Sequence, residues 1–250
     1  MKLSILRILF HHLWRYTLMT LEEAILARHS VRQYQERPVD AEIVARLNDE
    51  MAICNQEGDL HIQLVTGEPY AFGGGMAKYG KFSGVSNYLA MVGRKGADEA
   101  IGYYGERLVL LSQTLGLNSC WVGLTFKKQP DRYEIASGEK LYCVIAFGYG
   151  ANEGVQHPMR PMEQFVKATG TKASCEQLDS MPEWFKRGMD AALLAPTAVN
   201  QQKFEFELID KHTVAANSRF TLVGYGKIDL GIVKYHFEVG AGKENFSWKN

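Results

Sequence analysis

Two periods of apolar spacing run along this chain. Leu21 to His29 carries Leu21, Ala24, Ile25 and Arg28 on one side at helical spacing. Val31 to Pro38 reads as an extended connector closed by a proline. Asp40 then stands where an N-cap belongs, ahead of a helix with Ile43, Leu47, Met51 and Cys54 on one face. Leu60–Val65 alternates as a strand, Gly73–Gly75 is a loop, and Asn87–Gly93 is apolar enough for a buried strand. A long helix is expected over Glu99–Leu115, stopping at Gly116, and a strongly apolar strand over Leu141–Phe147.

The rest of the chain repeats this order in shortened form. Met162–Ala168 is read as a counterpart of the first helix. Ser180 and Glu183 have capping-box spacing ahead of a helix that turns Trp184 and Ala191 inward. Strands are expected at Phe204–Ile209 and Phe220–Val223, and a helix at Ile228–Val239 that stops at Gly240. LEEAILARHSVRQY lies over MEQFVKATGTKASC, LHIQLV over FEFELI, and LVLLSQTLG over IVKYHFEVG. Glu22, Ala27, Glu42, Arg46 and Asp49 have identical partners in this alignment. The shared order of elements points to an internal duplication. The expected architecture is α+β, a mixed or antiparallel sheet flanked by helices. Residues 19–160 form a first repeat and 161–250 a second, shortened one, in a single compact unit.

The first eighteen residues form an N-terminal extension. Their apolar run is broken by Arg7, His11, His12 and Arg15, so it does not read as a bilayer span. It lacks the small-residue cleavage site of a secretory signal, and Met19 stands as an alternative start. Composition narrows the function classes further. Lys plus Arg and Asp plus Glu balance at 28 each, so no net basic field favours nucleic acid. An anion would need a few placed cations. Cys54, Cys120, Cys143 and Cys175 form no C-x-x-C and no zinc spacing, as expected of reduced thiols in the cytoplasm.

Three stretches carry candidate chemistry. In Arg28-His29-Ser30-Val31-Arg32, an extended backbone would aim Arg28, Ser30 and Arg32 the same way. Two guanidiniums and a hydroxyl suit a phosphate, and a solvated basic turn is the other reading of the same residues. Ala195-Pro196-Thr197-Ala198-Val199-Asn200-Gln201-Gln202 follows a helix. Pro196 turns the chain, and Thr197 and Asn200 add polar groups fit for a planar hydrogen-bonding ligand or for a plain connector. In Asn118–Leu124, Gly123 between Val122 and Leu124 permits close backbone approach to a flat ring, or simply follows a helix stop with a buried Trp121. Lys81 and Arg160 are further cations.

In this order, the pieces resemble the FMN-dependent nitroreductase family. The first stretch is similar to its R-x-S-x-R/K motif, the second to its A-P-S-x-x-N-Q-Q motif, and Cys120–Gly123 to its C-W-x-G segment. Val144–Gly150 followed by Arg160-Pro161-Met162-Glu163 resembles its closing pattern. The resemblance covers about residues 20–210. One departure is informative: the A-P-S-x-x-N loop ordinarily follows the second helix, where this chain has Ala52–Gln56, and the intact loop stands instead at 195–202. The second part has Thr169–Ala173 where R-x-S-x-R would fall.

Members of that family are dimers with FMN at the interface, so the resemblance implies a fused pseudo-dimer with one surviving site. It implies that Arg28, Arg32 and Arg160 hold the phosphate and that Ser30 bonds phosphate or ribityl oxygen. Lys81 would face the pyrimidine edge of the flavin. His29, Val122, Gly123, Leu124, Pro196, Thr197 and Asn200 complete the cofactor contacts. No side chain stands out as a catalytic residue, and no metal is implied. The implied activity is ping-pong hydride transfer from NADH or NADPH to a nitroaromatic, quinone or similar planar acceptor, in a monomer or a homodimer. A non-catalytic FMN-binding or sensing protein on the same fold is the alternative. A dinucleotide-binding Rossmann unit is disfavoured: Gly148-Tyr149-Gly150 lacks its third glycine and no helical pattern follows.

Overall fold

The computed structural model describes residues 19–168 and 170–249; the extension at 1–18 lies outside the described residues. Helix α1 (Leu21–Ala27) opens on a reciprocal capping box between Thr20 and Glu23. Helix α2 (Ala41–Gly58) buries Ile43, Leu47 and Cys54, the face expected from spacing. Asp40 makes no side-chain cap bond there and pairs with Arg37 instead.

Strands β1 (Gln63–Val65), β2 (Tyr88–Arg94), β3 (Asn118–Val122) and β4 (Glu139–Gly148) form an antiparallel sheet ordered β1-β2-β4-β3. A short helix α3 (Gly75–Tyr79) lies between β1 and β2, and helix α4 (Asp98–Thr114) between β2 and β3. Asn118–Val122, read from sequence as the aftermath of a helix stop, is thus an edge strand paired with β4 along its whole length.

The second sheet is mixed. It contains β5 (Val166–Ala168), β6 (Thr171–Lys172), β7 (Phe204–Leu208), β8 (Thr213–Ser218) and β9 (Ser247–Trp248) in the order β6-β5-β7-β8-β9. Helices α5 (Cys175–Asp179), α6 (Glu183–Leu193) and α7 (Gly226–Ala241) accompany it.

Four sequence expectations are corrected here. Met162–Ala168 is no helix. A single 3-10 turn follows Pro161, and Val166 then pairs in parallel with Phe206. Capping at Ser180 also fails: its hydroxyl donates to the Gln177 carbonyl, Pro182 begins α6, and the reciprocal box belongs to Ser174 and Gln177 at α5. Phe220–Val223 is an exposed loop rather than a strand. It has no ladder partner, and the Thr221 hydroxyl takes up local bonds with Gln201 and the Val223 N–H. Finally, α7 runs through Gly240 to Ala241, because Gly240 is where the Arg187 carbonyl and Ala191 of α6 pack closely.

One buried apolar cluster includes Leu47, Leu89, Met91 and Leu108 of the first part with Phe165, Phe206 and Phe237 of the second. Helices α4 and α7 meet at its centre through a reciprocal backbone approach. Gly102 abuts the Ile228 carbonyl, and Gly231 abuts the Glu99 carbonyl. Each glycine lies three residues after the carbonyl that its own helix presents to the other, the relation an isologous contact creates. This pairs Gly102 with Gly231, a different register from the one that sets Leu108 over Ile232.

Candidate functional site

The Arg28–Arg32 stretch leaves α1 in an extended conformation, with Arg28 at φ −72° and ψ 119°. It is pinned on both sides. The Val31 N–H donates to the Ser119 carbonyl at 3.0 Å, and the Ser83 N–H donates to the Arg32 carbonyl at 3.0 Å. Val31 and Tyr34 turn into a small apolar core behind β3. Cys120 of β3, next to the Ser119 that bridges to Ser30, is influenced by Arg28, Ser30 and Arg32. Burial pushes the Cys120 thiol up, opposed by Arg32, by a hydrogen bond from Ser30 and by Arg28.

Arg32 stays exposed and Ser30 half-buried, whereas Arg28 is only 3% exposed. Burial lowers the Arg28 pKa, and Glu106, whose Oε1 lies 3.9 Å from Nε, opposes the shift. The Arg28 Nε has no hydrogen-bond partner among the described residues. His29 and His157 are also drawn down, mainly by desolvation and with Arg28 contributing to each. Cationic and imidazole groups therefore crowd one region.

The 195–202 loop begins where α6 ends. Pro196 is buried, and Val199, Asn200 and Gln202 adopt left-handed φ of 47°, 53° and 47°. The loop keeps this shape through Asp229 of α7. Its Oδ1 accepts the Ala198 N–H at 3.0 Å and its Oδ2 accepts Gln201 Nε2–H at 2.6 Å. The Gln201 side-chain carbonyl takes the Thr221 hydroxyl, and Thr197 Oγ1 accepts the Gln202 N–H at 3.1 Å. Burial raises the Asp229 carboxyl to about 6, and the bonds from Gln201 and Ala198 pull the other way.

The two stretches meet through residues 154–158. Gly154 lies against His29 and Val31. His157 Nε2 is 3.1 Å from the Leu193 carbonyl, and the Pro158 carbonyl accepts Asn200 Nδ2–H at 3.1 Å and Gln202 Nε2–H at 2.9 Å. Arg160 follows two residues on and is exposed. Lys81, exposed at φ 60°, stands between Ser83, which holds Arg32, and Gly80, which touches Thr125. Val122 is buried and Leu124 exposed. The flat ring seated on Gly123 is a protein side chain: a Cβ there would lie 2.6 Å from the Tyr225 hydroxyl. Tyr225 itself sits at φ 61°.

Sequence reading passed over Glu106, His157, Tyr225, Asp229 and His236. Glu106 and His236 carried no local signal, since Arg107 follows the one and Lys234 and Glu238 flank the other. Among the described residues no group of acids, histidines and cysteines could hold a metal ion, and no helix is long and apolar enough to cross a membrane.

The family model described as "Putative TM nitroreductase" matches residues 20–241. Among solved structures, the chain is similar to a putative nitroreductase from Thermotoga maritima at 19% identity. That match covers 92% of this chain and 87% of the other, with a TM-score of 0.66, and it shows a shared fold. Shorter matches include a putative nitroreductase in complex with FMN from Desulfovibrio desulfuricans (16% identity, 58% of this chain, 93% of that one, TM-score 0.44). Another is a nitroreductase with bound FMN from Bacteroides fragilis (19% identity, 56% and 93%, TM-score 0.42). Comparison with curated proteins finds no match.

Proposed function

The chain belongs to the putative TM nitroreductase family, and from that premise we propose that it is an FMN-dependent NAD(P)H oxidoreductase acting on a nitroaromatic, quinone or similar planar acceptor. One observation carries the reading. The cation-bearing stretch and the amide-rich loop, far apart in sequence, both contact residues 154–158: Gly154 packs on His29 and Val31, while the Pro158 carbonyl bonds Asn200 and Gln202 and His157 faces Leu193. The residues fit the cofactor. A buried guanidinium whose Nε makes no hydrogen bond among the described residues and has only the Glu106 carboxylate at 3.9 Å suits a phosphate, and a loop rich in amides suits the edge of a flavin ring.

Arg28, Arg32 and Arg160 would hold the phosphate, with Ser30 and His29 beside it. Val122, Leu124, Pro196, Thr197, Asn200 and Lys81 would bound the ring, with Gly123 behind the Tyr225 side chain that lies against it. Bound FMN would supply the redox chemistry, hydride uptake from NADH or NADPH and delivery to the acceptor in separate half-reactions. The chain's own task is to bind, orient and shield. Asp229 keeps the 195–202 loop in its left-handed shape, and Tyr225 walls the site at Gly123.

We further propose that the chain is an internally duplicated pseudo-dimer, one repeat over 19–160 and a shorter one over 161–250, with a single cofactor site, working as a cytoplasmic monomer. The reciprocal Gly102–Gly231 approach supports this, since it has the form of a contact across a two-fold axis.

Titration of purified protein with FMN should saturate at one per chain. Anaerobic NADH or NADPH should then bleach the yellow colour, and a quinone should restore it. Two FMN per chain would refute the single-site reading. Colour unchanged by either nucleotide would leave a flavin-binding protein rather than an enzyme.

A further inference from the structure

Behind Arg28 lies a buried chain of polar groups that links the two parts of the molecule. Glu106 in α4 and His236 in α7 are both fully buried. Glu106 Oε2 accepts Trp121 Nε1–H at 2.8 Å, while Oε1 faces His236 Nε2 at 2.8 Å and Arg28 Nε at 3.9 Å. His236 Nδ1 lies 3.0 Å from the carbonyl of Ala191, four residues before the 195–202 loop begins. A carbonyl only accepts, so Nδ1 must carry hydrogen. A neutral imidazole has one N–H, so bonding to both oxygens requires a second proton, on the ring or on Glu106. Wherever that proton sits, Arg28, Glu106 and His236 together carry one net positive charge. Buried charge is normally matched, and a surplus beside exposed Arg32 is a seat for an anion.

We propose that Glu106 and His236 are positioning residues: they hold the Arg28 guanidinium toward a bound phosphate and tie that anchor, through Ala191, to the 195–202 loop. The inference deepens the flavin reading and rests on it for the identity of the phosphate. Positioning, bare charge and general structural support predict different results for one variant, Glu106→Gln. It keeps an oxygen for Trp121 but exchanges a carboxylate for an amide.

The experiment compares dissociation constants for FMN and for riboflavin, which lacks the phosphate. Positioning predicts that Glu106→Gln erodes the preference for FMN over riboflavin by at least about 10-fold, with riboflavin binding little changed. Arg28→Ala should do the same, and the double variant should lose little more, because the two act as one unit. His236→Gln supplies the same reading if Glu106→Gln does not fold. A tighter FMN affinity in Glu106→Gln would mean that charge alone matters and would overturn the proposal, as would a parallel fall in affinity for both flavins. Should the wild type bind neither flavin, the flavin reading fails separately. Pyrophosphate then becomes the probe: a rise in unfolding temperature in the wild type that Glu106→Gln abolishes supports positioning, and equal behaviour of both proteins refutes it.

Discussion

Asp229 is where burial and hydrogen bonding pull hardest against each other. Its carboxyl titrates near 6 against an ordinary 3.8, because desolvation outweighs the bonds from Gln201 and Ala198. Between those values the native state binds the proton more tightly than the unfolded chain does. Its contribution is therefore most favourable below about pH 4 and is lost as pH rises through about 6, by up to about 3 kcal/mol. Asp229→Asn should remove this slope. Denaturant midpoints of wild type and variant, followed from pH 4 to 7, should diverge, and parallel curves would show that Asp229 is not the group responsible. Val199 offers a second test. A β-branched residue at φ 47° with 78% exposure bears backbone strain and gains little packing. Val199→Asn should raise stability by about 1 kcal/mol, measurable as a higher unfolding midpoint. At this scale the extended course of Arg28–Arg32 was legible because it is local. Glu106, His236 and Asp229 were not, since each acquires its role from a partner brought in by packing rather than by sequence proximity.

Helices with long apolar faces were readable as elements: α2, α4, α6 and α7 fall close to their expected bounds. The short strands were harder. Thr213–Ser218 is a strand by virtue of pairing with Phe204–Leu208, although its own composition is small and polar. Phe220–Val223 has β-forming residues but no neighbouring edge, so it stays a loop. Cross-strand pairing, invisible to a local pattern, decided both cases. The same limit hides the α4–α7 crossing, where the absence of a side chain at Gly102 and Gly231 lets backbone meet backbone. A methyl group at either glycine would strike a carbonyl that cannot rotate away. Gly102→Ala and Gly231→Ala should each cost about 1–3 kcal/mol or more. Thermal unfolding would register this as a clear fall in midpoint, whereas Gly96→Ala, with open space around its missing Cβ, would report only its backbone strain at φ 99°. Equal effects at all three sites would mean that the helices do not meet as closely as their glycines indicate.

At the scale of the molecule, two sheets of different pairing share one apolar interior. The sequence order suggested two similar parts, yet their sheets differ, antiparallel in the first and mixed in the second, and the first helix has no helical counterpart at 162–168. The parts are complementary rather than interchangeable. Residues 19–160 contribute α4, whose buried face includes Ile101, Gly105, Glu106 and Val109; α7 covers the part of that face at Gly102, and His236 of α7 provides the Glu106 partner at 2.8 Å. The second part contributes an aromatic cluster in which Phe237 stacks on Phe206 at 4.8 Å and meets Phe246 edge-on. Cutting the chain near 160 would uncover the α4 face and take His236 from Glu106, leaving that carboxyl Trp121 and the more distant Arg28, and each large apolar side chain returned to water costs about 1.5–3 kcal/mol. That is a large share of the roughly 5–15 kcal/mol that keeps a domain folded. A fragment of residues 19–160 should therefore lack a sharp urea transition on its own and regain one when co-expressed with 161–250. A steep, two-state transition for 19–160 alone would mean that each part folds independently, and the charged link from Arg28 through Glu106 to His236 would then be a contact between finished units rather than a condition of either one folding.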